Sequence, residues 1–414
     1  MKIRKGIRFL AKVLGNVLAI PICFFVLLCI FYPPVYHFNA PKPFSGNQWY
    51  NPYNGLDGLD FHRANFQVQS RAWGGMTNGE NNSATKIFNR YDSLGYGVIT
   101  ISDYMNINPF QYPGKPSINA YEHGYGVRKT HQLCLGSDRV TWLDYPILQT
   151  RQSKQHLIDL LSYHAKVVCI AHPSLRNAYT LEDMRHLEGY QLIESISHFA
   201  KSFDHWDAAL SAGKPVFILA NDDAHNIDNP YDYGRVLTMV HANELQEDSI
   251  YAALTAGQAY GYEVFTPDDI SITNKPKLFT RLARLNQCDI VNDTLIISTD
   301  KPIASVRFIT QDGMVKNTVQ FDREEVCEVR QDISDVTSYV RAEITMKNKD
   351  ILYLNPVYKH SGDPLAGGKA EINIMATIAL RVIGTGLTLL GLLILAARFF
   401  PRMKRFPRFA LPSV

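Results

Sequence analysis

Polar side chains that can bind a metal ion occur at the ends of short apolar runs in this 414-residue sequence. His172 directly follows the apolar run 167–171, and Asp223 and His225 follow the run 216–220. Imidazole and carboxylate groups together suit a borderline divalent cation such as Zn²⁺ or Mn²⁺. The pattern therefore predicts a divalent-metal site. The side chains concerned are Gln67, Gln69, Asp103, Glu122, His131, His172, Glu194, Asp222, Asp223 and His225.

The segments that carry these side chains alternate in character between residues 60 and 265. Short apolar runs, typical of strands buried on both faces of a parallel sheet, are separated by amphipathic stretches typical of helices. In (β/α) barrels the loops at the carboxyl ends of the strands carry the chemistry. The sequence therefore predicts an α/β fold of the (β/α)-barrel type, with the polar side chains gathered at one mouth.

Residues 268–360 show a different pattern of short, alternating runs separated by turns. This pattern is typical of a small β-sandwich. Cys288 and Cys327 both fall in this region. Spacing does not decide between a disulfide and two buried thiols, so both alternatives stay open.

Two apolar segments frame this middle region. Residues 13–32 contain no charged group and are long enough to cross a bilayer as a helix, and a second apolar segment follows residue 381. A cleaved signal peptide is the alternative for the first segment, but no small-x-small site follows Tyr32. The predicted organisation is a basic N-terminus (1–12), a first membrane span (13–32), a linker (33–59), the barrel (60–265), the β-sandwich (266–362), a second linker (363–377), a second span (378–400) and a basic tail (401–414).

The distribution of charge predicts how the chain is oriented. The net charge of +3 combines basic ends without acidic residues, within 1–32 and 373–414, with an acidic middle. We therefore expect the chain to lie in a bacterial inner membrane. By the positive-inside rule both termini are then cytoplasmic, and residues 35–375 are extracytoplasmic. We expect the two spans to contact lipid. An acidic body lacks the basic footprint of nucleic-acid binding, so no nucleic-acid partner is expected.

Several motifs between residues 65 and 225 resemble those of the PHP (polymerase and histidinol phosphatase) superfamily, and they occur in the same order along the chain. Asn65-Phe-Gln-Val-Gln-Ser70 resembles the opening His-x-His strand, and the segment ending in Ser102-Asp103-Tyr104 resembles one ending in Thr-Asp-His. The remaining matches are Tyr121-Glu122, Thr130-His131, Ala171-His172-Pro173 and Asn221-Asp-Asp223-Ala-His225. Tyr339-Val-Arg-Ala-Glu343 and Leu354-Asn-Pro-Val-Tyr358 are similar to the sandwich of a secreted or membrane-bound branch of this superfamily.

This resemblance implies a distorted (β/α)7 barrel that holds up to three metal ions and hydrolyses phosphate esters. By position in the motifs, one ion would use Gln67, Gln69, Glu122 and Asp223. A second would use Glu122, His131 and His172, and a third would need Tyr104 and His225. Gln67, Gln69 and Tyr104 stand where the family has histidine, so only the second ion retains its full set of ligands. The resemblance therefore implies fewer than three ions, which we expect to be Zn, Mn or Fe.

Two functions follow from these expectations. The first is a membrane-anchored, metal-dependent phosphoesterase with a reduced, mononuclear site that acts on a small phosphorylated substrate or another anionic ligand. In it Asp223 and His225 would be catalytic, and Gln67, Gln69, Asp103 and Tyr104 would contact substrate or act as weak metal ligands. The alternative is a pseudoenzyme that binds no metal and serves as a ligand-binding or envelope scaffold module.

Overall fold

The computed structural model describes residues 15, 20–56, 60–76, 79 and 81–399. The described residues form two compact units. The first unit comprises residues within 1–37, 145–156 and 371–414, and the second comprises 38–144 and 157–370. Every residue of the predicted metal site belongs to the second unit.

Short strands make up much of the described chain. In chain order they are β1 (Tyr36–His37), β2 (Gln48–Tyr50), β3 (Phe61–Asn65), β4 (Val98–Ile99), β5 (Ala120–His123), β6 (Gln132–Leu135), β7 (Val167–Ile170), β8 (Leu192–Ile196), β9 (Phe217–Ala220), β10 (Val236–His241), β11 (Ala259–Glu263), β12 (Leu285–Val291), β13 (Thr294–Thr299), β14 (Ile303–Ile309), β15 (Val315–Gln320), β16 (Glu328–Asp332), β17 (Tyr339–Met346), β18 (Ile351–Leu354), β19 (Val357–His360) and β20 (Glu371–Ile372).

Helices separate many of these strands. The described helices are α1 (Ile20–Phe31), α2 (Ala84–Asp92), α3 (Arg151–Ser162), α4 (Leu181–His186), α5 (Phe203–Ser211), α6 (Glu247–Thr255), α7 (Lys275–Phe279) and α8 (Ile374–Phe399). Local sequence explains where some of them begin. The Ser83 side chain accepts a hydrogen bond from Lys86 N at the start of α2, and Thr180 and Asp183 form a capping box at the start of α4.

Two sheets of the second unit position the predicted site. The first has the strand order β5-β6-β7-β8-β9, with antiparallel pairing from β5 to β7 and parallel pairing from β7 to β9. The second runs β15-β14-β17-β18-β11-β10-β3-β4, and β3 pairs with β4 in parallel. All residues of β5 to β9 are buried, and for β7 and β9 this agrees with the continuous apolar runs of the sequence.

These two sheets do not form the closed barrel that the sequence predicted. No continuous strand ladder joins them in the described residues, where isolated bridges link Tyr104 to Glu122 and Val68 to Ala224. The outer edge of β9 explains why no continuous ladder closes there. The amides of Ile218 and Ala220 donate to the side chains of Asn355 and Thr238, so these two N–H groups are not free to pair with a further strand. The fold is therefore a mixed α/β arrangement of several sheets.

The C-terminal strands are continuous with the rest of the second unit. The predicted boundary at residue 265 falls between strands that pair within one sheet, since β18 pairs with β11 in antiparallel register. Strands β12, β13 and β16 form a separate three-stranded sheet. Cys288, which is buried, and Cys327 are both free thiols in this structure.

One helix of the first unit is long and apolar enough to span a membrane, over residues Ile374–Ile394. The sequence predicted two such spans. Most of the N-terminal half of the first, 13–32, lies outside the described residues, and its described helix α1 is too short to qualify. The described residues therefore support one of the two predicted spans. Within this unit, Arg381 of α8 donates hydrogen bonds to the carbonyl oxygen of Tyr32, which directly follows α1.

Candidate metal centre

Three side chains that can bind a metal ion meet at one end of neighbouring strands. Glu122 lies in β5, His131 directly precedes β6, and His172 lies two residues beyond β7. Because β5 pairs with β6 and β6 with β7, these positions are adjacent in the sheet. Their ligand atoms all lie within 4.8 Å of one another, and all three residues are buried. A carboxylate with two imidazoles is a ligand set that Zn²⁺ commonly takes.

Glu122 is the centre of this cluster. Its Oε1 contacts Nδ1 of His131 and lies 3.2 Å from Nε2 of His172. Its Oε2 accepts a 2.8 Å hydrogen bond from Nε2 of Gln69. The remaining ring nitrogens, Nε2 of His131 and Nδ1 of His172, are buried and have no hydrogen-bond partner among the described residues. The cluster therefore holds buried polar atoms whose bonding capacity is unused.

Asp223 and His225 lie beside this cluster, in the segment that follows β9. Oδ2 of Asp223 is 3.9 Å from Nε2 of His172. Nδ1 of His225 lies 2.7 Å from the backbone carbonyl oxygen of Asp223 and so donates to it. In the neutral imidazole this leaves Nε2 of His225 as a proton acceptor or metal ligand.

Gln67 and Gln69 use their amide groups to bind carboxylates. Nε2 of Gln67 donates to Asp223 at 3.2 Å, and Nε2 of Gln69 donates to Glu122. This orientation is the one a carboxylate partner requires, because only the NH₂ end of the amide can donate. It leaves both Oε1 atoms buried without a hydrogen-bond partner among the described residues.

The side chain of Asp103 binds the chain segment at Ser70. Its carboxylate accepts 2.7 Å hydrogen bonds from both the backbone N and the Oγ of Ser70, and Nδ2 of Asn108 donates to it at 3.2 Å. Three donors bind this buried carboxylate, so Asp103 fixes the chain just after the two glutamines.

Tyr104 lies beside the Glu122 carboxylate, and its ring centroid is 5.2 Å from that of His131. Burial raises the pKa of the phenol, and the charge of Glu122 raises it further. The phenol therefore stays protonated at neutral pH and is a poor metal ligand. The third ion of the family pattern, which needs Tyr104, is not favoured by this geometry.

Two residues of the site have strained backbones. His172 and Asp223 have φ angles of 27° and 49°, in the left-handed region that side chains other than glycine rarely adopt. Glu194 in β8 stabilises the backbone of His172, since its Oε2 accepts a 3.1 Å hydrogen bond from the backbone N of His172. Its Oε1 accepts from Nδ2 of Asn221 at 2.9 Å. Strain of this kind concentrates at functional sites.

The electrostatics of the site are dominated by buried acidic groups. Burial raises the pKa of Asp223 well above its usual value, and the charges of Glu122 and Glu194 raise it further. Burial also raises the pKa of Glu194, to about 7. For Glu122 burial acts in the same direction, but His131 and His172 outweigh it, so the pKa falls below its usual range. A bound divalent cation would offset the repulsion among these carboxylates.

The residues present therefore fit a divalent cation. The fit rests on two observations: buried ring nitrogens without partners, and buried carboxylates that repel one another. Glu122, His131 and His172 would hold the ion, with Asp223 near enough to contribute.

Two further residues near the site were not identified from the sequence. Asp232 accepts a 2.8 Å hydrogen bond from the backbone N of His225, which fixes the loop beyond Asp223. The Nζ of Lys129 lies 5.2 Å from the centre of the Tyr104 ring. A signal for Lys129 was present in the sequence, because it lies two residues before His131 in Arg128-Lys129-Thr130-His131.

Comparisons with known proteins give little further information. No family model and no curated protein matches this chain. A comparison with solved structures finds a two-domain protein from Bacteroides vulgatus ATCC 8482, described as containing a predicted PHP-like metal-dependent phosphoesterase. The two chains are 12% identical, the TM-score is 0.38, and the match covers 75% of this chain and all of the other. A TM-score this low carries no conclusion about fold or activity.

Proposed function

We propose that this protein binds one divalent metal ion through Glu122, His131 and His172 and hydrolyses a phosphoester at that ion. The observation that carries the proposal is the buried triad itself, whose ligand atoms lie within 4.8 Å of one another. The chemistry that such an ion supplies when bound is polarisation of a phosphoryl oxygen and a lower pKa for a bound water.

The chain's own residues would handle the proton. Burial lowers the pKa of His225, so its imidazole is neutral near pH 7, and its Nδ1 is already occupied by the Asp223 carbonyl. Its Nε2 can therefore accept a proton during hydrolysis. Gln67 and Gln69 each present a buried carbonyl oxygen without a partner among the described residues, and these oxygens can orient a water or a substrate hydroxyl.

The experiment that tests this proposal is metal analysis of the purified full-length chain by elemental mass spectrometry. We expect about one equivalent of Zn, Mn or Fe, lost in His172→Ala, which keeps the backbone N–H that Glu194 binds. The matched control is His186→Ala, which removes an imidazole at the end of α4. A phosphatase assay of the loaded protein follows. Equal metal content in wild type and His172→Ala would refute the proposed ligand set.

A pseudoenzyme is the second candidate, and a specific observation favours it. Gln67 and Gln69 donate hydrogen bonds to Asp223 and Glu122, the carboxylates that would otherwise bind a further ion. Gln67 and Gln69 therefore take up hydrogen-bonding capacity of these carboxylates, and Tyr104, at the third position where the family pattern has histidine, stays protonated. Metal uptake without phosphoesterase turnover would refute the hydrolase, and no uptake at all would support this second function.

We further propose that the chain is anchored in a bacterial inner membrane by two spans, with both termini in the cytoplasm. Helix α8 supports one span by its length and apolar composition. The flanking basic residues at both chain ends support the orientation. A reporter fused after Val414 should report a cytoplasmic location, and an extracytoplasmic signal would refute this topology.

A further inference from the structure

The metal centre is surrounded by buried acidic side chains, which affects how it can bind an anionic substrate. Glu122, Glu194 and Asp223 are fully or almost fully buried around the centre, and none of the three makes an ion pair with Lys or Arg in the described part of the chain. A phosphoester is itself an anion, so any negative charge that these carboxyl groups keep beside the bound cation repels it. A cation beside the site would lower the free energy of the bound anion.

Lys129 is placed to provide that charge. Its Nζ lies over the ring of Tyr104, 5.2 Å from the ring centre, and that ring is in turn 5.2 Å from the ring of His131. Lys129 is half-buried, and among the described residues its ammonium makes no hydrogen bond or ion pair.

The loop that carries Lys129 is fixed by several contacts. The backbone N of Lys129 donates a 3.0 Å hydrogen bond to the carbonyl of Gly126, which closes a turn. Upstream, the backbone N of Tyr125 donates to Oδ2 of Asp144 at 2.9 Å. Lys129 itself has a φ of 60°, a left-handed conformation that costs free energy in a residue other than glycine. These contacts fix the backbone of Lys129, so its side chain starts from a defined position beside Tyr104.

The neighbouring basic residues Arg128 and Arg176 do not share the half-buried, unpaired state of the Lys129 ammonium. Arg128 is exposed to solvent, and Nη1 of Arg176 donates to the carbonyl of Val127. Arg128 is therefore a matched control: it is adjacent in sequence and carries the same charge, but it is more exposed than Lys129.

We infer that Lys129 binds the anionic phosphoryl group of the substrate beside the metal centre, which restricts the substrate class to phosphoesters that keep a negative charge. This inference rests on the proposed function, since it assigns the anion to the same site. The ammonium forms charge-assisted hydrogen bonds to phosphoryl oxygens, and no proton or bond is transferred in this step.

The test is a calorimetric titration of inorganic phosphate into the full-length, detergent-solubilised protein after its metal content has been measured. The variants are Lys129→Met, Lys129→Arg and the control Arg128→Gln. We expect phosphate to bind the wild type about tenfold or more tightly than Lys129→Met, by the usual strength of a charged hydrogen bond. Lys129→Arg should restore much of the affinity, and Arg128→Gln should match the wild type. Metal content should be equal in all four proteins.

The outcomes separate this inference from the proposed function. Equal phosphate affinity in wild type and Lys129→Met, or no phosphate binding by metal-loaded wild type, overturns the role of Lys129 and leaves metal binding intact. A wild-type protein that takes up no metal overturns the proposed function. The same titration on that metal-free protein then decides the role of Lys129 by the difference between wild type and Lys129→Met.

Discussion

His225 donates a 2.7 Å hydrogen bond from Nδ1 to the backbone carbonyl oxygen of Asp223, a residue whose φ is 49°. The left-handed turn at Asp223 and the orientation of the imidazole are therefore linked. The turn directs the carbonyl at Nδ1, and the hydrogen bond selects the tautomer whose Nε2 is free to accept a proton. A backbone contact thus does what a carboxylate does in many other histidine sites.

This relationship predicts the effect of replacing the imidazole. In His225→Ala we expect kcat of the phosphoesterase to fall by about 10²–10⁴-fold, the usual contribution of a general base. Metal content should stay unchanged, because the ligand triad does not include this residue. The measurement is steady-state kinetics beside elemental analysis. Loss of metal together with activity would instead make His225 a ligand.

A second prediction concerns the support of His172. Glu194→Gln keeps an acceptor for the backbone N of His172 but replaces the oxygen that accepts from Asn221 with a donor. Two NH₂ groups would then face each other in a buried site, so the position of His172 should shift. We expect metal affinity to fall by about 10–100-fold, as for other residues that orient a metal ligand.

Competition with a metal-chelating dye measures that affinity. Ser195→Ala is the control, since it alters the next residue of β8, whose hydroxyl is buried without a partner among the described residues. Unchanged affinity in Glu194→Gln would show that the backbone of His172 does not depend on Glu194.

A third prediction separates structural from functional carboxylates. Asp103→Ala leaves the buried backbone N of Ser70 without its acceptor, so we expect the free energy of unfolding to fall by about 3 kcal/mol. Metal content of the folded protein should not change. The control is Asp92→Ala, which removes a partly exposed ion pair with Lys115 and should cost less than about 1 kcal/mol. Denaturant titration measures both values, and a small loss in Asp103→Ala would contradict this role.

Part of the fold and of the site could be predicted from the sequence. Continuous apolar runs such as 167–171 predict buried strands, and a polar residue directly after such a run must lie at the end of its strand. That reasoning brought His172 and Asp223 into one predicted site, and the structure places them 3.9 Å apart. Residue types and chain order were sufficient here because β7, β8 and β9 are parallel and therefore end at the same edge of one sheet.

Other features depend on contacts between residues far apart in the chain. At the edge of β9 the backbone N of Ile218 donates to the side chain of Asn355, which is 137 residues away in sequence. No local sequence pattern predicts such a contact. Asp103 follows an apolar run just as His172 does, yet it binds Ser70 because that loop folds back over it. The sequence therefore predicted the α/β pattern, but the open arrangement of the sheets and the direction of individual carboxylates required the tertiary structure.

The last prediction concerns the pH dependence of stability and the fully buried Lys275. Burial lowers its pKa to about 8, and the amine packs over the ring of Tyr233 and donates to the carbonyl of Pro230. In the unfolded chain the pKa of lysine is about 10.4, so between these values the unfolded state binds more protons. The free energy of unfolding should therefore rise as pH increases above 8, by about 1–2 kcal/mol up to pH 9.5. Lys275→Met, compared with wild type by denaturant titration across this range, should remove that rise. A rise of equal size in both proteins would assign it to other groups.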